Sequence, residues 1–257
     1  MPSVSIEFLG TGTSTGVPMV GCSCPVCRST DPFDKRLRCA ALVRVGAQHL
    51  LIDAGPDLRQ QLLRSNVDRL DAVLLTHEHM DHVAGIDDLR ALNFKQRRAM
   101  DLYGNAATNA AVRRVFNYAF MQSTYPGIPE LVLHEVVPGP FTAGGVEVRA
   151  IEVMHHHMPV LGFRIGGLAY ITDAKTIGQE AMEQLRGVDV LVLNALREKE
   201  HLSHLNLAEA MAVVEQVAPR QALFTHISHL MGTHKEVGPR LPQGVALAHD
   251  GLRVEVR

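Results

Sequence analysis

The stretch Thr76-His77-Glu78-His79-Met80-Asp81-His82 places three histidines and one aspartate within six residues, directly after the apolar run 72–75. The pattern predicts a strand over 72–76 that ends in ligands. Side chains at i and i+2 of an extended chain share a face, so His77 and His79 point one way. Asp81 and His82 then serve a second direction. Imidazoles and a carboxylate aimed in two directions outline a site for two divalent ions with a hydroxide between them, an arrangement suited to hydrolysis. A polar loop whose histidines merely cap a helix is the plain alternative, and the strand-then-helix context argues against it.

The same pattern recurs outward from this stretch. Asp53 closes the run 49–52 and is followed by the sharp turn Ala54-Gly55-Pro56; Asp173 closes 168–172, and His226 closes 222–225. A carboxylate at the end of a core strand is expensive to bury unless positive charge lies opposite it. Four strands are therefore expected to end in metal-type ligands. Strands are predicted at 5–9, 41–45, 50–53, 72–76, 146–153, 162–165, 169–172, 188–193 and 222–225. Three- and four-residue apolar spacing predicts helices at 58–64, 87–98, 106–118, 179–186 and 207–217. Strands alternating with helices indicate a layered α/β fold.

Composition bounds the function. The chain has 257 residues, 46% of them hydrophobic, enough for one large layered domain over 1–257. A net charge of −2 gives no general pull toward nucleic acid or anionic membrane. No apolar run approaches a membrane span, and Glu7 interrupts the N-terminal apolar stretch, so a cytoplasmic protein without membrane partners is expected. The sequence leaves a homodimer open. The glycine-rich segment Gly10–Gly16 lacks a following Gly-Lys-Ser/Thr and is read as a tight backbone passage rather than a nucleotide loop.

The set Asp53, His77-x-His79-x-Asp81-His82, Asp173 and His226 resembles the metallo-β-lactamase superfamily in motif order, over nearly the whole chain. The resemblance implies an αββα sandwich with metals at one edge. It also implies that one ion takes His77, His79 and a third-motif histidine, the other Asp81, His82 and His226, with Asp173 bridging and Asp53 holding the ligand loop. The third-motif histidine falls in the triplet His155-His156-His157; His155, directly after the strand, is the expected ligand and His156 the reserve.

A second cluster, Cys22-Ser23-Cys24-Pro25-Val26-Cys27, crowds three thiols into six residues. In a cytoplasmic chain such crowding signals metal rather than disulfide, and three thiolates need a fourth ligand to close a tetrahedral zinc site. Cys39, in an apolar run, reads as a buried free thiol, and a histidine is the better fourth ligand. With Thr225-His226-Ile227-Ser228-His229, this cluster resembles the PhnP-like cyclic phosphodiesterase branch of the superfamily. That resemblance implies a structural zinc on Cys22, Cys24, Cys27 and His229.

His201 and His204 lie just ahead of the helix at 207–217, outside the ligand count. Either could hydrogen-bond a phosphoryl oxygen or protonate the leaving oxygen. His204 fits the helix spacing better. The expected activity is a dinuclear metal-dependent phosphodiesterase, using manganese or zinc, with Asp81 as both ligand and hydrogen-bond acceptor. By resemblance its substrate is a small cyclic phosphodiester of the ribose 1,2-cyclic phosphate type. The alternatives are a tRNA 3′-processing endonuclease, whose long glycine- and proline-rich arm is not found here, and a non-catalytic or cofactor-biosynthesis accessory protein on the same fold.

Overall fold

Alternation of side chains along the strands sorts the apolar residues into three packed layers. In a computed structural model describing residues 2–122, 125 and 127–257, the strands are β1 (Val4–Gly10), β2 (Ala40–Val45), β3 (Gln48–Ile52), β4 (Ala72–Leu74), β5 (Met100–Gly104), β6 (Leu131–Glu135), β7 (Gly139–Ala143), β8 (Val146–His155), β9 (Met158–Ile165), β10 (Leu168–Ile171), β11 (Val190–Asn194), β12 (Gln221–Thr225), β13 (Val245–Leu247) and β14 (Arg253–Val256). They form two seven-stranded sheets, ordered β14-β1-β2-β3-β4-β5-β6 and β13-β12-β11-β10-β9-β8-β7.

Ala41, Val43, Leu50 and Ile52 of the first sheet meet Phe163, Leu168, Tyr170 and Val192 of the second in the inner layer. The alternate residues face outward. Leu42, Leu51 and Val73 pack against Leu58 and Leu62 of the helix Leu58–Arg64, while Ala169, Ile171 and Leu191 pack against Ala181 and Leu185 of the helix Gln179–Leu185 and Ala210 and Val214 of the helix Leu207–Val217. Both sheets are thus apolar on both faces and covered outside by helices, which makes the four-layer αββα sandwich. At about 1.5–3 kcal/mol per fully buried large apolar side chain, these layers carry the stability and leave the loops free to hold unfavourable geometry.

Strand direction decides where the loops meet. β3 to β6 run parallel, as do β10 to β13. The loops leaving the ends of β3, β4, β10 and β12 gather between the sheets at one edge. Asp53 and His226, the first residues after β3 and β12, and Asp173, the second after β10, all adopt left-handed backbone, with φ of 62°, 56° and 56° respectively for Asp53, Asp173 and His226. Such geometry costs about 1–3 kcal/mol per non-glycine residue, so three strained residues at one edge mark a candidate functional site.

The local expectations need several corrections. β4 ends at Leu74, so His77 and His79 lie on an extended loop beyond the strand. The helix expected over 87–98 is a 3-10 turn, Ile86–Leu89, running into the helix Arg90–Gln96. The one expected over 106–118 ends at Val115 and gives way to a 3-10 turn at Asn117–Ala119. β5, β6, β7, β13 and β14 were not anticipated. β6, β7, β13 and β14 are edge strands, where burial is one-sided and the apolar signal weak; Pro140 sits in β7, where an edge tolerates it. Among the described residues no helix is long and apolar enough to cross a membrane.

Candidate metal centre

Asp53 organises the ligand loop. Its carboxylate accepts hydrogen bonds from the Thr76 backbone N–H (2.9 Å), from Thr76 Oγ1 (2.9 Å) and from His82 Nδ1 (2.7 Å). Because Thr76 Oγ1 donates to Asp53, it accepts from His77 Nδ1 at 3.0 Å. Both histidines therefore spend their Nδ1 protons on this network, and Nε2 of each is the free lone pair. The loops 53–57 and 81–85 touch backbone to backbone: Ala54 N–H donates to His82 O (2.7 Å) and Gly85 N–H to Ala54 O (2.8 Å). Only glycine fits at 55, where a Cβ would lie 2.1 Å from the Asp81 carbonyl oxygen.

The second sheet supplies the opposite wall. His155, the last residue of β8, directs Nδ1 at the carbonyl oxygens of Asp173 (2.9 Å) and Ser203 (2.8 Å). Carbonyls only accept, so Nδ1 carries the proton and Nε2 is free. His156 and His157 form the tight turn between β8 and β9 and are exposed, with His156 at φ 56°. Thr172 Oγ1 donates to Asp173 Oδ2 (2.7 Å), and Asn194 brackets both backbone groups of Ala174 (2.8 and 3.0 Å). His226 is placed by Thr13, whose Oγ1 lies 3.0 Å from its Nε2.

These walls bring the expected ligands together. The rings of His77, His79 and His155 form a triangle with centroid separations of 4.6, 5.2 and 5.8 Å. His82 Nε2 lies 3.2 Å from Asp81 Oδ2 and 3.3 Å from Asp173 Oδ2, and Asp173 Oδ2 lies 3.2 Å from His226 Nδ1. Asp173 sits between the two sets. It groups with His77 and His82 on one side and with His155 and His204 on the other, while Asp81, His82 and His226 form their own group. His79 is exposed at the mouth and outside these tight groups.

The donor set fits divalent cations. His77 Nε2, His82 Nε2 and His226 Nδ1 are buried without a hydrogen-bond partner, and orphaned buried nitrogens are costly unless a cation takes them. The electrostatics agree. Burial opposes charge on His82, yet Asp173, Asp53 and Asp81 outweigh it and lift its pKa well above the ordinary range. Burial also opposes charge on Asp173, but His226 and His82 hold its carboxyl well below the usual value. Burial and the charge on His82 push His77 well down, keeping it a neutral ligand. Three carboxylates thus converge on one imidazole, a surplus of negative charge that a cation would balance.

His204 and His201 separate in depth. The rings of His155, His204 and His201 stack in sequence, with centroids 4.5 and 5.1 Å apart. His204 is buried; its Nδ1 donates to Ser203 O (3.1 Å), and its Nε2 faces Asp173 Oδ1 at 3.6 Å. Burial, with His226 next, pushes its pKa down to about 3. His201 stands further out, on the wall of an open cleft shared with Lys175, Arg197, Glu200 and Leu202.

The cysteine cluster forms a separate site. Cys22 and Cys24 Sγ lie 3.3 and 3.4 Å from His229 Nδ1, and Cys27 completes the group. The Cys27 backbone N–H and His229 bring the Cys24 thiol down to about 6, while burial and the neighbouring thiols push Cys27 up to about 11. Three thiol sulfurs and one imidazole nitrogen within ligand distance of one another suit zinc. Cys39 is elsewhere, buried against Thr225 Oγ1 at 3.3 Å. His229 follows His226 by three residues, so the cluster anchors the segment that carries His226.

The sequence profile of the beta-lactamase superfamily domain matches residues 48–227. A crystal structure described as a new diphosphatase from the PhnP family superposes with a TM-score of 0.92 at 38% identity, covering 98% of this chain and 97% of the other. The chain belongs to the metallo-β-lactamase superfamily, with PhnP-family relatives. A protein named octanoyltransferase from Porphyromonas gingivalis is 42% identical over 95% of this chain, which spans half of that relative's length. Ribonuclease Z of Mycobacterium bovis is 26% identical, covering 86% of this chain and 88% of the other. Zinc-bound PqqB from Methylobacterium extorquens shares the fold at 21% identity, TM-score 0.76, over 97% of this chain and 99% of the other.

Sequence reasoning missed the residues that aim the ligands. Thr13, Thr76, Asn194 and the Ser203 carbonyl have no motif of their own. Thr76 alone carried a signal, as a hydroxyl at the end of an apolar run beside the first ligand.

Proposed function

We propose that the protein is a metal-dependent phosphodiesterase acting on small cyclic phosphodiesters of the ribose 1,2-cyclic phosphate type. The observation that carries the proposal is the convergence of three unpartnered buried ring nitrogens with Asp81 and Asp173 at one sheet edge. The likeness to a PhnP-family diphosphatase, an enzyme that cleaves a phosphate linkage, supports hydrolysis at phosphorus. His77, His79 and His155 would hold one divalent ion, and Asp81, His82 and His226 the other, with Asp173 shared. Manganese and zinc both suit this donor set. When bound, such ions lower the pKa of water and offset charge on phosphoryl oxygens.

The chain's own residues supply the rest. Asp81 is held low by His82 and His226 against the effect of burial, so its carboxylate is ionised and free to accept a hydrogen bond from an attacking water. His204 presents only Nε2 to the centre, because Nδ1 is committed to Ser203. It is neutral until a phosphoryl dianion beside it favours the imidazolium form; from there Nε2–H can reach the departing oxygen. Cys22, Cys24, Cys27 and His229 would hold a structural zinc that fixes His226, with no open position for chemistry. The location consistent with free thiols is the cytoplasm.

The test is turnover of generic phosphodiesters, cyclic ribose phosphates and precursor tRNA by wild type and His204→Ala, with metal analysis of each. Preference for small cyclic diesters, with a loss of about 100-fold or more in His204→Ala at unchanged metal content, is expected. Preferential cleavage of precursor tRNA would replace the proposal, and no hydrolysis with any divalent metal would sink it.

A further inference from the structure

The glycine-rich passage after β1 joins the two walls of the centre. On the side of the first sheet, Gly12 N–H donates to Leu37 O (2.7 Å) and Cys39 N–H to Gly12 O (3.1 Å); on the side of the second, Ile227 N–H donates to Thr11 O (2.9 Å) and Thr13 N–H to Ile227 O (3.2 Å). The passage ends in a ligand contact. Thr13 Oγ1 meets Nε2 of His226, which leaves Nδ1 as the ring nitrogen facing Asp173 and the centre.

Arg38, just ahead of β2, grips this crossing from outside. Its Nε donates to Ser14 O, next to Thr13, at 3.2 Å, while its Nη1 reaches both carboxylate oxygens of Asp57 at 3.2 Å each. Asp57 ends the loop 53–57, and its Oδ2 also accepts the Arg38 backbone N–H at 2.8 Å. The same arginine lies against the tight loop contact, with its Cβ 3.7 Å from where a Cβ at position 55 would stand. One guanidinium thus ties the segment that aims His226 to the loop that carries Asp53 and packs on Asp81. The ligands assigned to one ion, Asp81, His82 and His226, come from these two sides. Those of the other do not depend on the tie: His77 takes its aim from Thr76, and His155 from the carbonyls of Asp173 and Ser203. The pair contributes more to aim than to stability. Its side chains are 33% and 10% exposed, and ion pairs that water reaches add little to folding. What the planar fork fixes is direction, because it holds two acceptors at once.

We propose that Arg38 and Asp57 are positioning residues, a strut that sets the span between His226 and the Asp81–His82 pair and so tunes the affinity of one of the two ions without touching it. This rests on the two-ion reading of the centre and adds to it a control on one ion alone. Neither residue meets the substrate or the reacting phosphorus.

The test titrates manganese into chelator-stripped protein that keeps its cysteine zinc, following free ion by electron paramagnetic resonance, for wild type, Arg38→Gln, Asp57→Asn, their double variant and His226→Ala. Wild type should take up two ions. In Arg38→Gln the affinity for one of them should fall by about 10- to 100-fold, the range for losing an outer partner of a metal ligand. It should be the ion that His226→Ala loses, and the other affinity should hold. The double variant should bind no more weakly than the weaker single variant, because the two residues act as one unit. Arg44→Gln is the control: it breaks an ion pair of similar exposure, with Glu7 (26% and 3%), at the far end of β2, and should leave both affinities unchanged. Unchanged affinities in Arg38→Gln, equal loss at both ions, additive losses, or a loss matched by Arg44→Gln overturns the strut. If wild type takes up fewer than two ions, the two-ion reading fails separately, and the imidazole nitrogen resonances of His226 in the metal-free protein decide the strut. A changed tautomer balance in Arg38→Gln supports it, and an unchanged spectrum overturns it.

Discussion

Replacing Gly55 with alanine probes whether the packing between two loops sets the geometry of the centre. The new Cβ would stand 2.1 Å from the Asp81 carbonyl oxygen, where ordinary contact begins near 3.4 Å, so the loops 53–57 and 81–85 must part by about 1.3 Å. Parting them stretches the bonds from Ala54 N–H to His82 O and from Gly85 N–H to Ala54 O, and it carries Asp81 and His82 away from Asp173. Overpacking of this kind costs about 1–3 kcal/mol, a fall of roughly 3–10 °C in melting temperature for a chain of this size. A displacement of about 1 Å in reacting groups costs on the order of 100-fold in rate. The control is Gly238→Ala, where nothing lies within 4 Å of the added Cβ and the backbone is helical (φ −50°, ψ −51°). Hydrolysis of bis(p-nitrophenyl) phosphate, bound-metal analysis and thermal melts on the three proteins give the readout. If Gly55→Ala melts with the control and keeps more than half its turnover, the loops do not position the ligands as argued.

Asp81→Ala should abolish hydrolysis while leaving the circular dichroism spectrum unchanged, since it removes a ligand and no core contact; turnover above a few per cent of wild type would contradict the site. Cys24→Ser should reduce bound zinc by about one ion per chain, lower the melting temperature and impair activity only through His226; equal zinc content and equal melting would show that the cysteines hold no metal. Acid should destabilise the metal-stripped protein. His77, His204 and His226 all have pKa values depressed by burial, so the unfolded chain takes up protons near 6.5 that the folded chain refuses. Their contribution is complete above 6.5 and falls as pH drops toward about 3, the value for His204. His82, raised by its carboxylates, responds in the opposite sense, so the test is a difference: for His204 alone the loss is about 2 kcal/mol by pH 5, and a melting temperature that falls as steeply from pH 7 to 4.5 in His204→Gln as in wild type would contradict it.

Several residues of the candidate site were legible because each follows an apolar run. Asp53, Asp173 and His226 stand where a buried run meets its first ionisable acid or imidazole, and that juxtaposition needs no knowledge of the partner strand. The four-layer fold was legible through the same runs, which are apolar on both faces. β5 and the edge strands β6, β7, β13 and β14 were not, since a short or half-exposed strand such as β14 shows little apolar signal. The aiming residues were illegible for a different reason. Thr13 meets His226 across 213 positions and Ser203 meets His155 across 48, contacts that only the closed sandwich creates. The depth difference between His201 and His204 depends likewise on how the loop before the helix Leu207–Val217 folds back over Asp173.

The account's central claim is that the strand-end cluster holds two divalent cations on which phosphodiester hydrolysis depends. The most direct measurement strips the protein with a mild chelator, then titrates manganese back while bis(p-nitrophenyl) phosphate turnover and bound metal are followed on the same sample. The account predicts loss of activity with about one zinc per chain retained at the cysteine site, and recovery that saturates near two added equivalents. Turnover that survives chelation, or that fails to follow metal reloading, would contradict it.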